Sequence, residues 1–252
     1  MFDERLCQRF GDCVKAGNGQ ISASENSLVI NRDQIPDATV LRNICPSGAL
    51  TVAGKEMSIG EIIREVEKDL PFYVMSGGGV TLSGGEPLSQ EPELKDLIIE
   101  LKAREIHVSA ETTLHLPWET IEQYVELIDV FLADLKHTDA EKFTRFTGGN
   151  ADLVLNNFRK LDEKGKPFVV RVPVIPHFNY SLPELYSIID FASGLRNAAE
   201  INFIPFHSLA SEKYAMLGKE YLFRDDRKVQ KADLIQFVEY ATWKGLNAKI
   251  LN

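Results

Sequence analysis

From residue 58 onward the chain switches repeatedly between two hydrophobic periods. Ile59, Ile62, Ile63, Val66 and Leu70 recur at helical spacing, and Ser58-Ile-Gly-Glu61 ahead of them has the form of a capping box. Val80–Leu82 predicts a strand. The stretch 90–104 predicts a helix with Leu94, Leu97, Ile98 and Leu101 on one side, and Ile106–Ala110 the next strand. Pro117 suits the first residue of a helix bearing Ile121, Val125 and Ile128. Val130–Leu135 reads as a strand, followed by a helix over 151–164 with Gly165 as its terminal glycine. Phe168–Val174 is again strand-like, and Ser181-Leu-Pro-Glu184 opens another capped helix. Ile201–Pro205, a helix over 230–244 ending at Gly245, and Leu246–Leu251 complete the pattern.

Strands alternating with helices at this spacing indicate parallel β/α units. The five or six strands counted are fewer than the eight of a full β/α barrel. An incomplete barrel and an open doubly wound sheet both fit. Residues 1–57 break the pattern: they hold Cys7, Cys13 and Cys45, show little amphipathic periodicity, and carry turn signals at Asn18-Gly19 and Pro36-Asp37. The expected division is a small region over 1–57 and an α/β domain over 58–252.

Composition narrows the function. With 44% apolar and 26% charged residues the chain has the make-up of a soluble globular enzyme. A formal charge of −9 without a basic stripe argues against nucleic acid. No apolar run reaches membrane-spanning length. Three cysteines make no disulfide framework, so the expected compartment is a reducing cytoplasm.

The most informative stretch is Ser76-Gly-Gly-Gly-Val-Thr-Leu-Ser-Gly-Gly-Glu-Pro87. A strand running into Gly84-Gly85 removes side chains where a ligand approaches the backbone, while Glu86 adds a fixed charge and Pro87 stiffens the exit. A Gly-rich turn is the plain alternative. Other strand ends carry chemistry as well: Glu111 and Thr112; Asp134 and Lys136; Arg171 within Val-Val-Arg-Val-Pro; and His207 after Ile-Pro-Phe. In parallel β/α folds functional groups gather at the carboxyl ends of strands. Each residue alone also suits a salt bridge or a loop. Together they outline a site for a zwitterion, with Lys136 and Arg171 facing a carboxylate and Asp134 and Glu86 facing an ammonium group.

These motifs, in order, resemble the activating enzymes of glycyl radical enzymes, nearest to the pyruvate formate-lyase activating type, within the radical S-adenosylmethionine superfamily. The resemblance runs from about residue 45 to the C-terminus. It implies a partial (β/α)6-type barrel and two cofactors, S-adenosylmethionine and a [4Fe–4S] cluster. It also implies a pyruvate formate-lyase-like partner, from whose glycine a hydrogen atom is taken. By the same resemblance Gly84, Gly85 and Glu86 hold the methionine amino group beside Asp134, Lys136 binds the carboxylate, and Arg171 and His207 border the ribose and adenine. Glu111, Thr112 and Asp134 match the place of a monovalent cation, with Glu111 standing where the familiar activator has aspartate.

The chain departs from the family in its cysteines. No Cys-x3-Cys-x2-Cys occurs in its 252 residues, and on the family's layout that loop and the first strand would precede residue 1. Val80–Leu82 would then form an exposed edge. Residues 1–57 have the outline of a ferredoxin-like insert, but its ligand positions hold Phe10, Gly17, Ile35, Ala38 and Leu41. The insert is therefore expected to be degenerate, with Cys7, Cys13 and Cys45 as buried or free thiols. Three readings follow: an activating enzyme without cluster ligands in this chain; a non-catalytic remnant binding S-adenosylmethionine or a partner; and a β/α enzyme using Lys136 as a Schiff-base amine.

Overall fold

The computed structural model describes residues 1–251 apart from 25–26, 36, 91, 208–209 and 222–227. Pro36 of the expected Pro36-Asp37 turn lies outside the described residues. The chain forms two compact units, one of Met1–Glu56 with His207–Asp226 and one of Met57–Phe206 with Arg227–Asn252.

The first unit contains α1 (Asp12–Ala16) and the antiparallel pair β1 (Ile21–Ala23) and β2 (Leu28–Ile30). Its small core is Phe2, Cys13, Ile21, Leu41, Ala49 and Leu50. Phe2 is held in place by a bridge to Leu50.

In the second unit α2 (Ile59–Val66) starts at the expected capping box: Ser58 Oγ accepts from the Glu61 N–H, and Glu61 Oε2 accepts from the Ser58 N–H at 2.8 Å. A short helix, α3 (Leu70–Ser76), stops at Gly77, whose φ of 67° lets the chain reverse into β3 (Gly79–Leu82). There follow α4 (Glu93–Lys102), β4 (His107–Thr112), α5 (Trp118–Val125), β5 (Val130–Asp134), α6 (Ala140–Thr147) and α7 (Ala151–Glu163). Next come β6 (Phe168–Val174), α8 (Leu182–Ser193) and β7 (Ala198–Pro205). Helix α9 (Ala210–Met216) falls in the first unit, after which α10 (Lys231–Trp243) and β8 (Ala248–Ile250) complete the second. Pro117 is not the first helical residue. Its ψ of 140° is extended, so the helix begins at Trp118.

The six strands are parallel and lie in sequence order, β3-β4-β5-β6-β7-β8. Right-handed crossovers that always step the same way put the second unit's crossover helices on one side of the sheet. Burial agrees. Along β6, Phe168, Val170, Val172 and Val174 are fully buried, while Val169, Arg171 and Pro173 between them are partly open. The same alternation holds in β4 and β5. A doubly wound sheet buries both faces of its strands. Of the two architectures the pattern allowed, the structure is the singly wound one, a partial barrel with β3 and β8 as edges. The uncovered face carries the polar residues.

Candidate functional site: a charged rim on the open face

The glycine corner follows β3 directly. Gly84 and Gly85 have φ of 94° and 66°, values that disfavour any side chain, and a Cβ built on either would meet nothing within 4 Å. The corner therefore presents bare backbone to open space. Beside it Glu86 is anchored by one oxygen only. Its Oε2 accepts from the Thr113 N–H and hydroxyl at 2.9 and 2.8 Å, while the buried Oε1 has no partner. A buried carboxylate oxygen left unpaired is costly, and an ammonium group brought to the corner would satisfy it.

The neighbouring strand ends bring in the other charges. Because β5 pairs in register with β6, Asp134 lies opposite Arg171, and Arg171 in turn lies opposite Asn202 on β7. Arg171 Nη1 pairs with Glu111 Oε1 at 2.5 Å, and its Nε stands 3.6 Å from Asp134 Oδ1. Lys136 Nζ lies 3.9 Å from Asp134 Oδ2, so the two residues flanking buried Leu135 do share a side. Ser83 Oγ donates to Glu111 Oε2 at 2.7 Å.

Burial pushes the Asp134 carboxyl up, Lys136 and Arg171 pull it down, and Glu111 and Glu86 push it up again; the balance is above the ordinary range. Burial also pushes on Glu111, but Ser83 and Arg171 outweigh it and hold that carboxyl low. Thr112 is placed differently. It is 3% exposed on the helix-covered face, and its hydroxyl accepts from the Leu114 N–H at 3.0 Å.

Two buried asparagines that carry no periodic signal support the rim. Asn179, 0% exposed, donates from Nδ2 to the carbonyls of Lys136 at 2.7 Å and Pro173 at 2.8 Å, and its Oδ1 accepts from the Ile175 N–H. It thereby ties the end of β5, and with it the Lys136 backbone, to the exit of β6. Asn157, also 0% exposed, donates to the carbonyls of Leu114 and Leu116. That fixes the turn whose Leu114 has φ of 52° and whose Thr113 holds Glu86. A third polar group missed in the sequence is Asn202, 7% exposed, with an unpaired Oδ1.

His207 is the first residue of the His207–Asp226 segment assigned to the first unit, and it is exposed. The three cysteines are also in the first unit. They are free and line one cavity of about 230 Å³, a convergence that their spacing did not reveal. Burial works against ionisation of Cys45, yet the Ser47 hydroxyl and the N–H groups of Leu50, Ser47 and Ala49 hold its thiol below the usual range. Leu41 and Ile35, at two of the insert's ligand positions, pack in the apolar core. Among the described residues no group of three His, Cys, Asp or Glu side chains is placed to hold a metal ion. The unpaired Glu86 Oε1 and the bare backbone of Gly84 and Gly85 are the features of the rim that an ammonium group would complement, and the spacing Cys-x3-Cys-x2-Cys does not occur in the 252 residues. No helix among them is long and apolar enough to cross a membrane.

Comparison with known proteins agrees with the motifs and the fold. The family model for the radical SAM superfamily matches residues 43–189. The choline trimethylamine-lyase activating enzyme of Oleidesulfovibrio alaskensis is 32% identical over 241 residues, 93% of this chain and 78% of that protein. The isethionate sulfite-lyase activating enzyme of Desulfovibrio desulfuricans is 35% identical over 217 residues, 83% of this chain and 69% of that protein. Among solved structures, a domain of a pyruvate-formate lyase-activating enzyme from Bacteroides vulgatus aligns with a TM-score of 0.59 at 27% identity, covering 70% of this chain and 100% of the domain. With a singly wound parallel sheet, a glycine corner and matching relatives, the chain belongs to the radical SAM superfamily, among the activating enzymes of glycyl radical enzymes.

Proposed function

We propose that the rim of Gly84, Gly85, Glu86, Asp134, Lys136 and Arg171 binds S-adenosylmethionine, in a chain whose partner is a glycyl radical enzyme of the pyruvate formate-lyase-like kind. The observation that carries the ligand reading is the unpaired, buried Oε1 of Glu86 beside two open glycines. The ammonium group is placed against Glu86 and Asp134, and the carboxylate against Lys136, whose backbone Asn179 fixes. In the family the bound cofactor supplies a carbon radical that abstracts hydrogen from the partner's glycine. This chain's own contribution is to hold the amino acid end of the cofactor at the open face of the sheet, with charges already oriented. No step is assigned through an iron–sulfur cluster. The spacing Cys-x3-Cys-x2-Cys is absent from the 252 residues, and the three thiols lie in the first unit. The second reading, a non-catalytic binder of the cofactor or of the partner, shares the same rim.

Titration calorimetry with S-adenosylmethionine tests the rim under either reading. Lys136→Ala should weaken binding by about tenfold or more, the size of a charge-assisted hydrogen bond, with the fold unchanged by circular dichroism. Unaltered affinity in that variant would remove Lys136 from the site. The Schiff-base reading predicts borohydride trapping of a carbonyl compound at Lys136. The Lys136 Nζ already stands 3.9 Å from Asp134 Oδ2, in the rim that the cofactor reading uses.

A further inference from the structure

The resemblance implies a monovalent cation held by Glu111, Thr112 and Asp134, yet the donors that would hold it are committed elsewhere. Glu111 uses Oε1 on Arg171 at 2.5 Å and Oε2 on the Ser83 hydroxyl at 2.7 Å. The Thr112 hydroxyl sits on the opposite face of β4 and serves the Leu114 N–H. Asp134 faces Arg171 Nε with one oxygen and Lys136 Nζ with the other, at ion-pair distances of 3.6 and 3.9 Å without a hydrogen bond to Nε. A guanidinium therefore lies where the two acidic side chains would have met a metal ion. The longer reach of glutamate at position 111 is what lets its carboxylate close on Arg171 across the intervening strand β5.

Charge balance leads to the same place. Glu86, Glu111 and Asp134 stand against Lys136 and Arg171, which leaves one unit of negative charge at the rim. S-adenosylmethionine, with its ammonium, sulfonium and carboxylate, carries one net positive charge and neutralises that remainder. An additional metal ion would leave uncompensated positive charge in a partly buried site, which is unfavourable.

Resting on the S-adenosylmethionine reading of the rim, we propose that Arg171 is the built-in counter-cation of Glu111 and Asp134, and that this chain binds its cofactor without a monovalent metal ion. Two measurements test this. Sodium-23 relaxation of the protein alone should show no potassium-displaceable sodium site in the wild type. It should reveal one in Arg171→Gln, and likewise in Glu111→Asp, whose shorter side chain no longer reaches the guanidinium. S-adenosylmethionine affinity, titrated in sodium, potassium and tetramethylammonium chloride at equal ionic strength, should agree within about twofold in the wild type. In Arg171→Gln it should be roughly tenfold weaker in tetramethylammonium, the size of one lost charge contact. A displaceable sodium site in the wild type, a tenfold dependence of its affinity on sodium or potassium, or variants that gain no sodium site would each overturn the proposal. Absence of cofactor binding in every buffer would contradict the ligand reading instead, and the sodium arm would still decide the role of Arg171.

Discussion

Burial raises the Asp134 carboxyl ahead of the lowering pull of Lys136 and Arg171, and the nearby carboxylates of Glu111 and Glu86 add to the rise. A carboxyl that holds its proton more tightly folded than unfolded contributes stability at low pH, and that contribution is lost as pH rises through its folded pKa. Glu111 behaves oppositely. Its carboxyl is held low, so its contribution is present above the unfolded value and is lost as pH falls through the folded one. The raised Asp134 is therefore a cost at neutral pH, which an ammonium group bound as proposed would relieve. Asp134→Asn should stabilise the ligand-free protein by about 1 kcal/mol near neutrality and weaken S-adenosylmethionine binding at least tenfold, checked by urea unfolding and calorimetry. A destabilised variant would mean that Lys136 and Arg171 already compensate Asp134 in full. In the wild type, affinity should fall as pH drops through the raised Asp134 pKa. Arg171 was legible in the sequence because it interrupts an apolar run, and the other charged residues of the rim because they follow strand-like stretches. The pairing of Arg171 with Glu111 was not, because it depends on strand register.

Asn179 shows what local pattern leaves hidden at the level of elements. One asparagine in an Ile-Pro-His-Phe-Asn turn gives no periodic signal, yet it makes three hydrogen bonds, one to the end of β5 and two at the exit of β6. Asn179→Ala should cost about 2–4 kcal/mol, three buried bonds at roughly 1 kcal/mol each. It should weaken binding of S-adenosylmethionine while sparing 5′-methylthioadenosine, which lacks the carboxylate that Lys136 is proposed to hold. Equal losses for both would make Asn179 purely structural. Gly79 is a second such position. A Cβ there would come within 1.9 Å of the His107 carbonyl on β4, so β3 can pair only with glycine at that point. Gly79→Ala should destabilise the second unit by roughly 2 kcal/mol or more, as overpacking does, measured by thermal unfolding. The capping box of α2 and the terminal glycine of α7 were readable because caps are short and chemically distinct. Helix α3 was not. Its Phe72, Val74 and Met75 are 67, 83 and 86% exposed, which runs against the rule that large apolar residues mark a buried face.

At the scale of the whole molecule, hydrophobic periodicity yields strands and helices but not their order in a sheet. That is why a partial barrel and a doubly wound sheet both fitted. The order β3 to β8, and the burial of one face only, leave the other face free for the rim. The chain also forms two units whose boundary returns at His207–Asp226, far from the early break that composition marks. A segment that joins the unit formed by a much earlier stretch of chain has no local signature. What the sequence did carry was the family, because its motifs fall in order at strand ends. The central claim is that a rim with one net negative charge receives a ligand with one net positive charge. Parallel calorimetric titrations with S-adenosylmethionine and S-adenosylhomocysteine, which differ by the sulfonium methyl and its charge, test it most directly. The account predicts binding of S-adenosylmethionine about tenfold or more tighter than of its neutral thioether analogue. Equal affinities, or no binding of either, would contradict it.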